Sequence, residues 1–153
     1  MSVQRDGKQL CTTYKVRGYH VDINGHVNNA VYLNYLEDAR DDFLKHLGFS
    51  IAEFQARGDS VVLAEVHIRF IQPALYGDIL EARGWLSELR RVRSTWRMEL
   101  WRAGTGVLLT QAWVKVAFLD RTGRVIPIPE AARARLETVY IPEPSVSHIR
   151  GGI

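Results

Sequence analysis

The sequence predicts an α+β domain in which one long helix lies against a curved antiparallel sheet of about five strands. Two observations carry this expectation. Tyr32, Tyr35, Leu36, Ala39, Phe43 and Leu47 recur at three- and four-residue spacing, the apolar stripe of a helix. From Val61 onward the period drops to two through four segments: VVLAEVHIRF, DILEARGWLSEL, STWRMELW and VLLTQAWVKVAFLD. One helix followed by consecutive strands is the pattern of a helix packed on one face of an antiparallel sheet.

Taken in order, CTTYKVR (residues 11–17) reads as a short first strand. The helix is expected from near Ala30 to near Leu47, about five turns, with Asn28 or Asn29 as its N-cap and Gly48 at the left-handed C-terminal position. The turns AGTG (103–106) and RTGR (121–124) separate or end the strands with glycine. PEAARARLETV reads as a short C-terminal helix over about residues 128–138. The whole chain, 1–153, is expected to be one domain, with its core over about 12–120 and a flexible tail over about 142–153.

Alternation places Val62, Ala64, Val66, Ile68, Phe70, Leu80, Ala82, Leu86, Met98, Leu100, Val114, Val116 and Phe118 on the side that meets the helix. The other side receives Trp85, Trp101 and Trp113 among Glu81, Arg83, Arg97, Glu99, Gln111 and Lys115. Such a side reads either as a subunit contact or as rings covered by charged stems.

Hydrophobic residues make up 46% and charged residues 24%, an ordinary globular composition. MSVQRDGKQL has no apolar signal-peptide region, and no stretch reaches the ~18 apolar residues of a membrane span. The single Cys11 cannot pair within the chain, so a reducing cytoplasm is the expected setting. With 20 Lys and Arg against 17 acids the net charge is only +3, which argues against a nucleic-acid-binding polycation. Arg90, Arg91 and Arg93 form a small cluster without interleaved aromatics; it reads as a solvated turn or as a holder of ligand phosphates.

The densest chemistry lies in VDINGHVNNAVYLNY, residues 21–35, just before the helix. A helix N-terminus presents unpaired N–H groups and a partial positive charge, which can polarise a carbonyl oxygen. Gly25 allows a tight turn, and Asp22 supplies a carboxylate as general base or nucleophile. In an extended segment Asn24 and His26 would share a side with Asp22. Each residue also has a structural reading, as Asx turn, N-cap or satisfied histidine. No GxSxG, HExxH or paired-Cys motif occurs, so the loop calls for neither a serine nucleophile nor a metal or other cofactor.

Asp22 to Tyr32, read as D-x-N-x-H-V-N-N-x-x-Y, resembles the signature of hotdog-fold thioesterases of the 4-hydroxybenzoyl-CoA thioesterase-like group. Locally it is also similar to the acyl-carrier-protein thioesterases of plants and bacteria. The likeness continues through YLNYLEDARDDFL and RFIQPALYGDIL and covers most of residues 12–120. It implies a helix wrapped by a sheet, homodimers with active sites at the interface, and often a dimer of dimers. It matches Asp22 to the catalytic carboxylate, and Asn24 and His26 to residues that assist it or hold the carbonyl. Gly25, Val27, Asn28, Asn29 and Tyr32 fall in the expected substrate-binding stretch; Tyr32, Tyr35 and Leu36 read either as the wall of an acyl channel or as helix core.

Two positions depart from the pattern. His20 stands where many relatives have a second Asp, and Arg69 falls near the place of a Glu used by carrier-protein enzymes, with Glu65 close in sequence. The expected activity is hydrolysis of an acyl-CoA to a free acid and CoA, with CoA phosphates on surface Arg or Lys such as Arg90, Arg91 and Arg93. The alternatives are a carrier-protein thioesterase, a non-catalytic acyl-CoA-binding protein, and a dehydratase or hydratase of the same fold.

Overall fold

The computed structural model of the chain describes residues 2–143; most of the expected flexible tail, 144–153, lies outside the described residues. The elements are β1 (Gln4–Asp6), β2 (Gln9–Lys15), a 3-10 turn (Gly18–His20), α1 (Asn29–His46), α2 (Ile51–Arg57), β3 (Ser60–Phe70), β4 (Ile79–Leu89), β5 (Arg93–Arg102), β6 (Val107–Leu119), β7 (Val125–Ile126) and α3 (Glu130–Glu137). The sheet runs β1-β2-β4-β5-β6-β3, with β7 paired to β6, and every pairing is antiparallel. The chain passes from β2 to the far edge at β3 by way of α1 and α2, so the long helix crosses the concave face.

α1 keeps the expected bounds to within a residue. The Asn28 side chain accepts the Ala30 N–H at 3.1 Å as N-cap, and Gly48 follows the helix at φ 88°, the left-handed conformation that glycine adopts without strain. Its stripe Tyr32, Tyr35, Leu36, Ala39 and Phe43 is buried against Leu80, Ala82, Leu86, Met98, Leu100, Val114 and Val116. Phe43 stacks on Trp96 with centroids 6.3 Å apart, and a Cβ on Gly84 would lie 2.6 Å from the Phe43 ring. Glycine at that position is what lets the helix approach the sheet.

Three features differ from the sequence expectation. The sheet has seven strands, because the short β1 and β7 extend it. α2 forms within IAEFQAR, capped by Ser50 and ended by Gly58 at φ 75°; seven residues are too few for a clear apolar period. β3 carries a bulge between Leu63 and Glu65. Val61 and Leu63 therefore pair with the inward Phe118 and Val116, and Val62 turns outward, opposite to strict alternation.

The outer side is closed within the chain. Arg97, 6% exposed, lies 4.2 Å from the ring centre of Trp113 and 5.8 Å from that of Trp85, and pairs with Glu99 at 3.1 Å and Glu143 at 3.7 Å. Arg83 sits 4.9 Å over Trp101. The charged stems cover the rings. β3 is different: an edge strand that leaves Val61, Leu63 and Phe70 exposed, followed by an exposed Ile71. Among the described residues no helix is long and apolar enough to cross a membrane.

Candidate active site

The polar loop is a tight hairpin rather than an extended run. Asp22 N–H donates to the His26 carbonyl at 2.9 Å, and Gly25, at φ 76°, donates its N–H to the Asp22 carbonyl at 3.0 Å. Asp22 Oδ1 accepts the backbone N–H groups of Asn24 (2.8 Å) and His26 (3.3 Å). This Asx-type turn fixes the carboxylate by one oxygen, and Oδ2 has no partner among the described residues.

The hairpin is docked from behind. Val27 N–H donates to Ala74 at 2.9 Å and Tyr76 N–H donates to the Gly25 carbonyl at 3.1 Å, while His26 and Leu75 form an isolated antiparallel bridge. Tyr32, buried on the first turn of α1, accepts the Ala74 N–H through its phenol oxygen at 2.9 Å and meets Phe70 edge-on at 5.1 Å. These contacts shape an open cavity of about 530 Å³ lined by Asp22, His26, Val27, Asn28, Asn29, Tyr32 and, from the far side, Phe70, Ile71, Gln72 and Pro73.

Most of the residues singled out in the sequence thus share one cavity. Asn24 does not: the turn carries it off the lining, and extended geometry would have been needed to keep it beside Asp22. Gly25 shapes the loop without reaching the lining. Phe70 to Pro73 carry no sequence signal for this role beyond the proline that ends the strand; what brings them here is the bridge of Leu75 to His26.

Arg90, Arg91 and Arg93 lie elsewhere. Arg90 and Arg91 lie in the β4–β5 turn and Arg93 opens β5, and Arg90 and Arg93 each approach Glu88 at 3.3 Å. The cavity sits at the other end of β5, where Arg102 donates to the Pro73 carbonyl at 3.1 Å. The 10 residues of that strand span about 30 Å at ~3.3 Å each, so the cluster and the cavity of one chain stand at opposite ends of the sheet. Glu65 pairs with Lys115 at 3.1 Å and Arg69 opposes Gln111, and neither lines the cavity.

The helix end contributes one free donor. Across the loop the N–H groups of Asn24, Gly25, His26, Val27, Asn28, Ala30 and Val31 all have acceptors. That of Asn29, the first residue of α1, has none among the described residues, and Asn29 lines the cavity. The residue with a half-free carboxylate, Asp22, and the residue with an unpaired amide N–H at a positive helix end, Asn29, therefore both line this cavity. Among the described residues no group of three His, Cys, Asp or Glu side chains is gathered to hold a metal ion.

Comparison with known proteins gives the family of the chain. Residues 4–136 match the thioesterase-like superfamily. The chain belongs to that superfamily. It is 30% identical over 127 residues to the long-chain acyl-CoA thioesterase FadM of Escherichia coli, covering 82% of this chain and 96% of that one. It is 28% identical over 121 residues to a chloroplastic acyl-acyl carrier protein thioesterase of Arabidopsis thaliana, covering 79% of this chain and 64% of the length of that relative. The crystal structure of a hypothetical protein from Thermus thermophilus superposes with a TM-score of 0.77 at 32% identity, over 84% of this chain and 98% of that one. This member of the superfamily has the hotdog fold and is a thioester hydrolase.

Proposed function

We propose that the protein hydrolyses acyl-CoA thioesters to a free carboxylic acid and CoA at the cavity between Asp22 and the first amide of α1. The observation that carries this reading is the pairing, in one cavity, of the unpartnered Asp22 Oδ2 with the unpartnered Asn29 N–H. The thioester oxygen sits on the Asn29 N–H, which stabilises the charge that develops there. Asp22 takes a proton from water as the water oxygen attacks the carbonyl carbon; the C–S bond then breaks and CoA leaves as the thiol after taking up that proton. Direct attack by Asp22 would instead form a mixed anhydride that water opens. No cofactor enters either route.

The acyl group rests against Val27, Tyr32, Phe70 and Ile71. The two last-named residues belong to the open edge at the end of β3, and this supports a homodimer joined through β3 edges that completes the cavity. Similarity along nearly the whole length of an acyl-CoA thioesterase, and the lack of a Glu beside the cavity on β3, support CoA over a carrier protein. The lone Cys11 supports a cytoplasmic setting.

The test is thiol release from short, long and aromatic acyl-CoAs, with wild type beside Asp22→Asn. We expect release by wild type and a loss of about 10²- to 10⁴-fold in kcat in the variant. An amide still offers Oδ1 to the Asn24 and His26 N–H groups, so the turn survives and the loss reports on the charge. Release only from acyl-carrier protein would transfer the reading to that substrate, and unchanged release by the variant would remove Asp22 from the mechanism.

A further inference from the structure

His20 lies outside the cavity, yet it fastens the segment that carries Asp22. Its Nδ1 accepts the Arg17 backbone N–H at 3.1 Å and lies 2.6 Å from the Tyr35 phenol oxygen. Its carbonyl accepts the N–H of Asn28, the N-cap of α1, at 2.9 Å. One residue thus joins the exit of β2, the second turn of α1 and the helix cap, two positions before Asp22. A backbone N–H can only donate, so Nδ1 must turn a lone pair toward Arg17. The ring is then neutral with its proton on Nε2, and the Tyr35 hydroxyl donates to the same lone pair.

We infer that His20 is a positioning residue for thioester hydrolysis: its unprotonated Nδ1, held by Arg17 N–H and Tyr35, keeps the Asp22 loop in register with the first turn of α1. This rests on the reading of Asp22 as the catalytic carboxylate. Protonation would set an Nδ1–H against the Arg17 N–H and release the tie, so turnover falls on the acid side. Burial, and then the Arg17 charge, lower the His20 pKa and keep the ring neutral below its ordinary value of 6.5. Burial pushes the Tyr35 phenol up to about 12, so it remains a donor throughout the neutral range. The imidazole borders a groove of about 820 Å³ whose titratable groups are Tyr14 and Lys15 from β2, Arg17 and Tyr19 from its own turn, and Tyr35, Glu37, Asp38, Arg40 and Asp41 from α1. From the β3–β4 connection, Tyr76 packs beside Gly18 on the same turn. The carboxylates and cations are balanced in number, which leaves burial and Arg17 to set the direction.

The experiment is the pH dependence of kcat and KM for thiol release, from about pH 5 to 8, in wild type, His20→Leu, His20→Asn and Tyr35→Phe. Asparagine places a non-titrating acceptor near the position of Nδ1. Wild-type kcat should fall through one ionisation below pH 6.5. His20→Leu should lose about tenfold or more in kcat with KM within about twofold. His20→Asn should recover most of kcat and lack that acid limb. Tyr35→Phe should move the limb to higher pH, because the donor that favoured the neutral ring is gone. An unchanged acid limb in His20→Asn overturns the inference, as does full kcat in His20→Leu. If the leucine variant does not fold, the asparagine profile decides. Inactive Asp22→Asn beside wild-type behaviour at position 20 sinks this inference alone, whereas active Asp22→Asn sinks the reading on which it rests.

Discussion

Asn29 separates the two roles a helix start can play. Its side chain is dispensable for the proposed chemistry, because the donor is its backbone N–H. Proline is well tolerated at the first position of a helix and lacks that N–H. The preceding Asn28 already has φ −61° and ψ 138°, the extended conformation a following proline requires. Asn29→Pro should therefore lower kcat by about 10²- to 10³-fold with little change in melting temperature, whereas Asn29→Ala should keep both. Equal activity in the two variants would remove the amide from the oxyanion site. Asp22, His26, Asn28 and Asn29 were legible because they lie in one short segment whose local hydrogen bonds decide its shape. Asn24 was misplaced because the turn between Asp22 and Gly25 breaks the extended run that would have kept it beside Asp22. His20 showed only as a departure from a family pattern; its partners Arg17 and Tyr35 meet it through folding.

At the level of elements, the long helix was legible because period and cap agree over 18 residues. β3 was misread in its first half, since one extra residue in a strand reverses every side chain before it and leaves no mark in composition. The outer side of the sheet is a case where charge and ring content suggest a contact that packing has already consumed. Arg97 lies between two Trp rings and two carboxylates while 6% exposed, and burial lowers its pKa. Truncating it strands Glu99, whose other oxygen holds the Trp101 indole N–H at 2.8 Å. Arg97→Ala should cost roughly 3 kcal/mol or more, and Arg97→Met, which keeps the stem between the rings, distinctly less. Thermal melts of the two variants check this; equal losses would mean that charge, not ring coverage, is what the position supplies.

At the scale of the whole molecule, β3 is an exposed edge of the sheet. Its 11 residues form an unpaired edge with Val61 and Leu63 exposed by 37% and 47%, and it ends at Phe70 in the wall of the cavity. A long apolar edge left in water would invite indiscriminate pairing, so one defined partner is the economical solution, and a second copy presenting the same edge meets it by twofold symmetry. Lysine at an edge position opposes such pairing by burying charge against its own image, without disturbing the β3–β6 ladder behind it. Leu63→Lys should shift the protein from dimer to monomer by light scattering while its circular dichroism is retained. Thiol release should fall with the dimer fraction and recover at high protein concentration, because Phe70 and Ile71 then regain their cover. A dimer that persists in the variant would move the interface off β3. A monomer with full activity would show that one chain closes its own cavity, and would detach catalysis from assembly in this protein.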